Sequence, residues 1–230
     1  MSLWGRIFAG VYDRVMARTE KAGLSAHRES LLGSASGDVL EVGAGTGRNL
    51  LFYGEGVRSL TLTEPEEPMV RRLQKHLGER RPEAKLVQAP GEDLPFDDNS
   101  FDTVVSTLVL CTVDDQPRAL REIHRVLRPG GKLLFIEHVR SEDQKVARLQ
   151  DRMLPINVRI AHGCHCNRQT LEGIRAAGFE VAQVEHDTLK HAPKFVRPLI
   201  VGTAALPATT TAEPAERSAG SLTETGTSAL

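Results

Sequence analysis

At 230 residues the chain has room for one sizeable core with appendages and is too short for two full catalytic domains. Its 29 basic and 30 acidic side chains are interspersed and leave a formal charge of −1, so no basic field is available to hold a phosphate backbone and nucleic acid is not expected as a substrate. No run of about 18 apolar residues occurs, which excludes a conventional helical membrane span.

The N-terminal segment carries an apolar stripe at four-residue steps, Leu3, Ile7, Val11 and Val15. Such a stripe suits a helix lying on the protein's own core, and secondarily a helix resting on a lipid surface as a peripheral contact. Residues 1–35 are read as a helical lid, 36–205 as one α/β domain, and 206–230 as a disordered tail, because the last stretch is nearly all Ala, Thr, Ser, Glu, Gly and Pro.

Within the domain, short β-rich runs at 39–42, 60–63, 85–88, 103–106, 132–137, 181–185 and 198–203 alternate with amphipathic stretches, notably 67–77, 115–127 and 168–177. That alternation predicts parallel strands joined by right-handed crossovers. The last two strands are separated only by 187–196, too short for a helical crossover, so an antiparallel strand is expected to finish the sheet. Arg128-Pro129-Gly130-Gly131 is expected to end a helix and turn the chain into the next strand.

The first strand runs into glycines at alternate positions, Gly43, Gly45 and Gly47, followed by Arg48 opening a helix. Without side chains there, an adenosine-bearing ligand can approach the backbone at the carboxyl edge of the sheet. A dinucleotide fingerprint would place its third glycine where Arg48 stands, so the spacing favours a ligand lacking a diphosphate. Glu41 on the strand suits a ligand amino group and would repel phosphate. Glu64, twenty-one residues beyond Gly43 and at the end of the second strand, suits a pair of ribose hydroxyls. A nicotinamide oxidoreductase would further need a Tyr-x-x-x-Lys or similar proton donor, which is absent.

The strings VLEVGAGTG, TLTEP, APGEDLPFDDNSFD, VVSTLVLCTV and ALREIHRVLRPGGKLLFIEHV resemble, in order and spacing, the motifs of class I methyltransferases of the small-molecule type over about residues 36–140. TLVLCTV, IEHV, HGCHCNRQTLEGIRAAGF and FVRPLIVGTA further resemble the methyltransferase-like alkyl thiol S-methyltransferases. The resemblance implies a Rossmann-like three-layer sandwich with a mostly parallel seven-stranded sheet and an antiparallel final strand. It also implies S-adenosyl-L-methionine as cofactor and a small methyl acceptor. A thiol is the first choice of acceptor; a quinone, a phospholipid amine or another O, N or C acceptor is the alternative. By the same resemblance Glu41, Gly43, Ala44 and Gly45 hold the methionine end, Glu64 the ribose and Pro65 the adenine. Pro90 stands where the family has an acidic residue, so Gly91 and Glu92 are its substitutes at the adenine. Thr107 and Leu108 lie under the sulfonium, and Tyr12 closes over the cofactor.

Methyl transfer from a sulfonium needs in-line approach and exclusion of water rather than a catalytic triad. If the acceptor is a thiol, a neutral histidine can take its proton, and His138 at the end of the fifth strand is the candidate catalytic residue; His124, in mid-helix, is read as a surface or packing residue. The donors His162, Cys164, His165 and Cys166 crowd one short segment with no second cluster to complete a metal site, so loop packing, or a wall of the acceptor pocket, is expected and no metal. Cys111 is read as a small core hydrophobe. Three cysteines leave at least one unpaired, which, with no secretory signal order at the N-terminus, suits a reducing cytoplasm.

Overall fold

The computed structural model describes residues 16–81 and 83–208. Tyr12, the stripe from Leu3 to Val15 and nearly all of the C-terminal tail lie outside these residues. A helical run enters from residue 16, passes through a π turn at Glu20–Leu24 that is interrupted at Gly23 (φ 143°), and continues as α1, Ser25–Leu32.

Seven strands follow: β1 Gly37–Val42, β2 Val57–Thr63, β3 Lys85–Val87, β4 Phe101–Thr107, β5 Leu127–His138, β6 Glu180–Thr188 and β7 Pro198–Ala205. They form one sheet in the order β3-β2-β1-β4-β5-β7-β6. β7 lies antiparallel between β5 and β6, and the pairs β1–β2, β1–β4, β2–β3 and β4–β5 are parallel. All seven expected strands are present, most of them longer than their apolar runs, because hydrogen-bonded pairing carries each ladder on into polar flanks.

Helices α2 (Glu67–Arg80), α3 (Gln116–Val126), α4 (Gln144–Ile160) and α5 (Thr170–Ala176) complete the described elements. α2 buries Met69, Val70, Leu73 and Leu77, and α3 buries Ala119, Leu120, Ile123 and Val126, the three- and four-residue spacing of a helix lying on a sheet. Asp115 caps α3 by accepting from the Arg118 amide. The alternation of β1 sorts its side chains onto two cores: Leu40 and Val42 join the one under α3, Val39 the one under α1 and α2.

Three expectations about elements are corrected. The segment opening at Arg48 is one 3-10 turn, Arg48–Leu51, rather than a helix, since the chain must reach β2 at Val57 after the glycine loop has used its residues on turns. The 128–131 turn is an irregularity inside β5, where Gly130 takes φ 77° and the register against β4 shifts after Phe101↔Leu127. Leu206, expected within the disordered stretch, is buried and donates its amide to Gly131 O.

Candidate cofactor and active site

The strand order reverses at β1, whose neighbours are β2 on one side and β4 on the other. In an open α/β sheet the crevice beyond the carboxyl ends of strands at such a point is where ligands bind. Here three loops meet: Gly43 to Gly47 after β1, Glu64 to Glu66 after β2, and Leu108 to Asp114 after β4.

Gly43, Gly45 and Gly47 all take positive φ, at 63°, 58° and 82°. The loop is pinned to the next strand by Ala44 N donating to Thr63 O (2.8 Å) and closed by Gly47 N donating to Ala44 O (2.9 Å). A Cβ on Gly43 would stand 2.7 Å from Val109 Cγ2, whereas one on Gly45 would meet nothing within 4 Å. Gly43 is therefore glycine for packing, and Gly45 opens backbone to the crevice.

Glu64 stands at that opening. Its Oε2 accepts from Gly45 N (2.8 Å) and its Oε1 from Glu66 N (3.0 Å), so one carboxylate fastens both loops. A carboxylate oxygen has two acceptor sites, so each keeps one for a ligand hydroxyl. Burial raises the Glu64 pKa against the pull of these two amides. Pro65 is exposed beside it.

Glu41 is held by the protein's own side chains. It is 2 % exposed, and its carboxylate accepts from Asn49 Nδ2 (2.9 Å) and Tyr53 OH (2.7 Å). It lies one layer below the ligand surface. Desolvation lifts its pKa to about 7 despite those two hydrogen bonds and the nearby Arg28 guanidinium. Asn49 in turn donates to Thr107 Oγ1 (3.1 Å) and accepts from Arg28, which is paired with Glu20. A buried polar chain thus runs from the N-terminal helical run to the floor at Thr107. Nothing in the spacing of Glu20, Arg28, Asn49 and Tyr53 announces it.

Glu92 is likewise used on the protein's own backbone: its Oε1 accepts from the amides of Asp114 (2.8 Å) and Asp115 (3.3 Å), so it braces the post-β4 loop. Gly91 is buried, and a Cβ there would press on Val42 Cγ1 at 3.1 Å. Leu108 holds φ 59°, a conformation strained for a leucine, and donates its amide to Ile136 O (2.7 Å).

The residue absent from the sequence reading is Glu137. Fully buried at the end of β5, it accepts from Ser106 Oγ (2.7 Å) and the amides of Val109 (3.0 Å), Leu110 (3.0 Å) and Cys111 (3.1 Å). It is the template on which the post-β4 loop is folded, and its pKa is raised by burial. Beside it, His138 is 7 % exposed; its Nδ1 lies 3.7 Å from Cys111 Sγ and 3.5 Å from Cys164 Sγ. The two sulfurs are 3.9 Å apart. Cys111 is buried as expected, but it is not an inert core residue. The premise that nothing completes the 162–166 donors is also corrected, since the fold brings Cys111, from the loop after β4, and His138, from the end of β5, onto Cys164. Its thiol is lowered by the Cys111 and His138 contacts, while Cys111 is raised by its contact with Cys164 and by burial, against the pull of His138. His124 packs edge-on against Phe179, as a packing residue should.

Residues 40–135 match the family model of a methyltransferase domain. The human thiol S-methyltransferase TMT1A is 35 % identical over 199 residues, spanning 85 % of this chain and 81 % of that protein. Human thiol S-methyltransferase TMT1B is 40 % identical over 181 residues, spanning 75 % and 73 %. The chain belongs to the class I methyltransferase family of the thiol S-methyltransferases. A solved methyltransferase structure from Thermotoga maritima, described as a possible histamine N-methyltransferase, superposes with a TM-score of 0.65 at 22 % identity and covers 89 % of this chain and 99 % of its own, which supports the shared fold. This methyltransferase uses S-adenosylmethionine, and the crevice accords with that ligand: Gly45 leaves room where a side chain would intrude, and Glu64 stands at the rim with acceptor capacity to spare. A carboxylate at Glu64 suits a cationic sulfonium ligand and disfavours a diphosphate. No helix among the described residues is long and apolar enough to cross a membrane.

Proposed function

We propose that this methyltransferase transfers the methyl group to the sulfur of a small thiol. The observation that carries the reading is the similarity to the two human thiol S-methyltransferases, which spans about three quarters or more of each relative rather than the cofactor-binding half alone. The bound cofactor supplies a methyl group already activated on a cationic sulfur. The protein's work is therefore to bind, orient and exclude water.

In this reading the Gly43–Gly45 backbone, with Ala44, receives the methionine end, and Glu64 takes the ribose hydroxyls with the lone pairs left after Gly45 and Glu66. Glu41 acts through Asn49 and Tyr53 to hold the floor at Thr107. Gly91 and Pro65 border the adenine, and Leu108 lies beneath the reacting centre. His138 faces the acceptor side, beside two thiols. The three cysteines are free, with Cys111 and Cys164 sulfurs in contact and unbonded, which suits a reducing compartment such as the cytoplasm.

The test is a methyl-labelled cofactor offered with a panel of alkyl and aryl thiols, a quinone and a phospholipid amine. Methyl thioether formation well above the other acceptors is expected. Labelling of the quinone or amine with none on the thiols would overturn the assignment.

A further inference from the structure

Cys111 sits in the loop after β4, His138 ends β5 and Cys164 lies in the loop after α4. Their donor atoms form a nearly equilateral triangle with sides of 3.5, 3.7 and 3.9 Å, and all three residues are buried. A hydrogen bond between a thiol and an imidazole accounts for one short side, not for three. A tetrahedral zinc ion, with bonds of about 2.3 Å to sulfur and about 2.0–2.1 Å to nitrogen, has sulfur–sulfur edges of about 3.8 Å and sulfur–nitrogen edges of about 3.6 Å. The triangle has the dimensions of one face of that tetrahedron.

The supports are built to hold it. Cys111 N donates to Glu137 Oε2 (3.1 Å), Asn157 Nδ2 donates to Cys164 O (2.7 Å), and His165 N donates to Cys111 O (2.7 Å), so each cysteine loop is pinned and the two are tied together. Both loops carry a non-glycine residue at positive φ, Leu108 at 59° and His162 at 51°, local strain that the surrounding contacts maintain. His138 Nε2 is buried and has no hydrogen-bond partner among the described residues, so none of them dictates the tautomer and the neutral form with its lone pair on Nδ1 is accessible. The described residues supply three donors, and Leu108, Ala161 and Phe195 pack around the sulfurs, an apolar setting that suits a soft fourth ligand.

We propose that Cys111, His138 and Cys164 form a Cys2His site for a zinc-class divalent cation, with its fourth coordination position open to the sulfur of the acceptor. The second half of this proposal rests on the thiol reading above. The acceptor thiol gives a sulfur lone pair to the cation and its S–H proton to solvent, with no change in the metal's oxidation state. The sulfur is thereby held as a thiolate beside Leu108, ready for the methyl group.

The test uses the full chain, purified without chelator and analysed for metal by mass spectrometry, then stripped and reloaded with zinc or cobalt(II). We expect about one metal per chain, falling to about a tenth or less in Cys111→Ser and Cys164→Ser and retained in Cys166→Ala, as removal of direct ligands requires. Retained S-adenosylhomocysteine binding by calorimetry shows that each variant is folded. In the cobalt form, a sulfur-to-cobalt charge-transfer band is expected, shifting on addition of 2-mercaptoethanol. A folded wild-type chain that takes up no metal, or one with Cys111 and Cys164 joined as a disulfide, overturns the site. Metal bound with a spectrum indifferent to thiol overturns the open position while the site stands. Metal and thiol bound without thioether formation overturns the thiol function instead.

Discussion

The two glycines of the loop after β1 share a backbone conformation and differ in what surrounds them, which makes their alanine variants a controlled pair. Gly43 and Gly45 have φ of 63° and 58°, so an added Cβ brings the same left-handed strain to both, on the order of 1–2 kcal/mol. At Gly43 the Cβ would also lie 2.7 Å from Val109 Cγ2 and 2.9 Å from Cγ1, inside any real contact distance. Overpacking of that kind adds about 1–3 kcal/mol. At Gly45 it would meet nothing, and the methyl would project into the crevice where the cofactor approaches the backbone. In urea, with a slope of about 3 kcal/mol per molar for a domain of this size, the unfolding midpoint of Gly43→Ala should fall about 0.3–1 M below that of Gly45→Ala. Calorimetry with S-adenosylhomocysteine should show the reverse ranking: Gly45→Ala loses at least about tenfold in affinity, near 1.4 kcal/mol, without further loss of stability. Equal midpoints for the two variants, or wild-type affinity in Gly45→Ala, would refute the division of labour between them.

Three other outcomes are expected. Glu64→Gln removes one acceptor from a carboxylate bound to two amides and weakens cofactor binding about 10- to 100-fold, the range for a hydrogen bond to a charged group; an unchanged dissociation constant in calorimetry removes Glu64 from the ribose site. Glu41 has a folded pKa of about 7 against an ordinary 4.5, so the folded state holds the extra proton between those values and stability is lost as pH rises through that window. Glu41→Gln, which cannot ionise, should gain on the wild type by as much as about 3 kcal/mol between pH 4.5 and 7, read from urea midpoints; parallel pH profiles would contradict the burial argument. Glu137→Gln keeps an oxygen for the three donors on Oε1 but turns an NH2 toward the Cys111 amide, leaving that buried donor unanswered, and should cost about 1–3 kcal/mol, with faster amide exchange at Cys111; unaltered exchange there would show that the loop does not depend on the carboxylate.

The strands were legible because each is a β-branched or apolar run bounded by turn residues, and the antiparallel end followed from one short connection. Helix α4 was harder to see, since Pro155 interrupts its periodic stretch and its buried positions include the polar Gln150 and Asn157. Among site residues, the glycines and Glu64 announced themselves through local spacing. Glu41 was noticed for its carboxylate, but spacing could not tell that Asn49 and Tyr53 would occupy it. Glu137 reads as an ordinary strand terminus until β4 and β5 are paired. The grouping of Cys111, His138 and Cys164 is further still from sequence, because it depends on two loops and a strand end meeting beyond the same edge of the sheet.

One device recurs along that edge. Glu41, Glu64, Glu92 and Glu137 each lean a carboxylate against a neighbouring loop and hold it by donors: a side-chain amide and phenol, two amides, two further amides, and three amides with a hydroxyl. Loops that must leave a crevice open cannot be fixed by filling it with apolar side chains, so they are fixed from behind by polar anchors. Burial raises the pKa of Glu41, Glu64 and Glu137, a cost the anchors only partly offset. A cation in the crevice offsets more of it, whereas a diphosphate would add to it. In the proposed cofactor site the same residues that shape the loops would therefore favour a positively charged sulfonium ligand, a preference carried by the supports as well as by the surface offered to the cofactor.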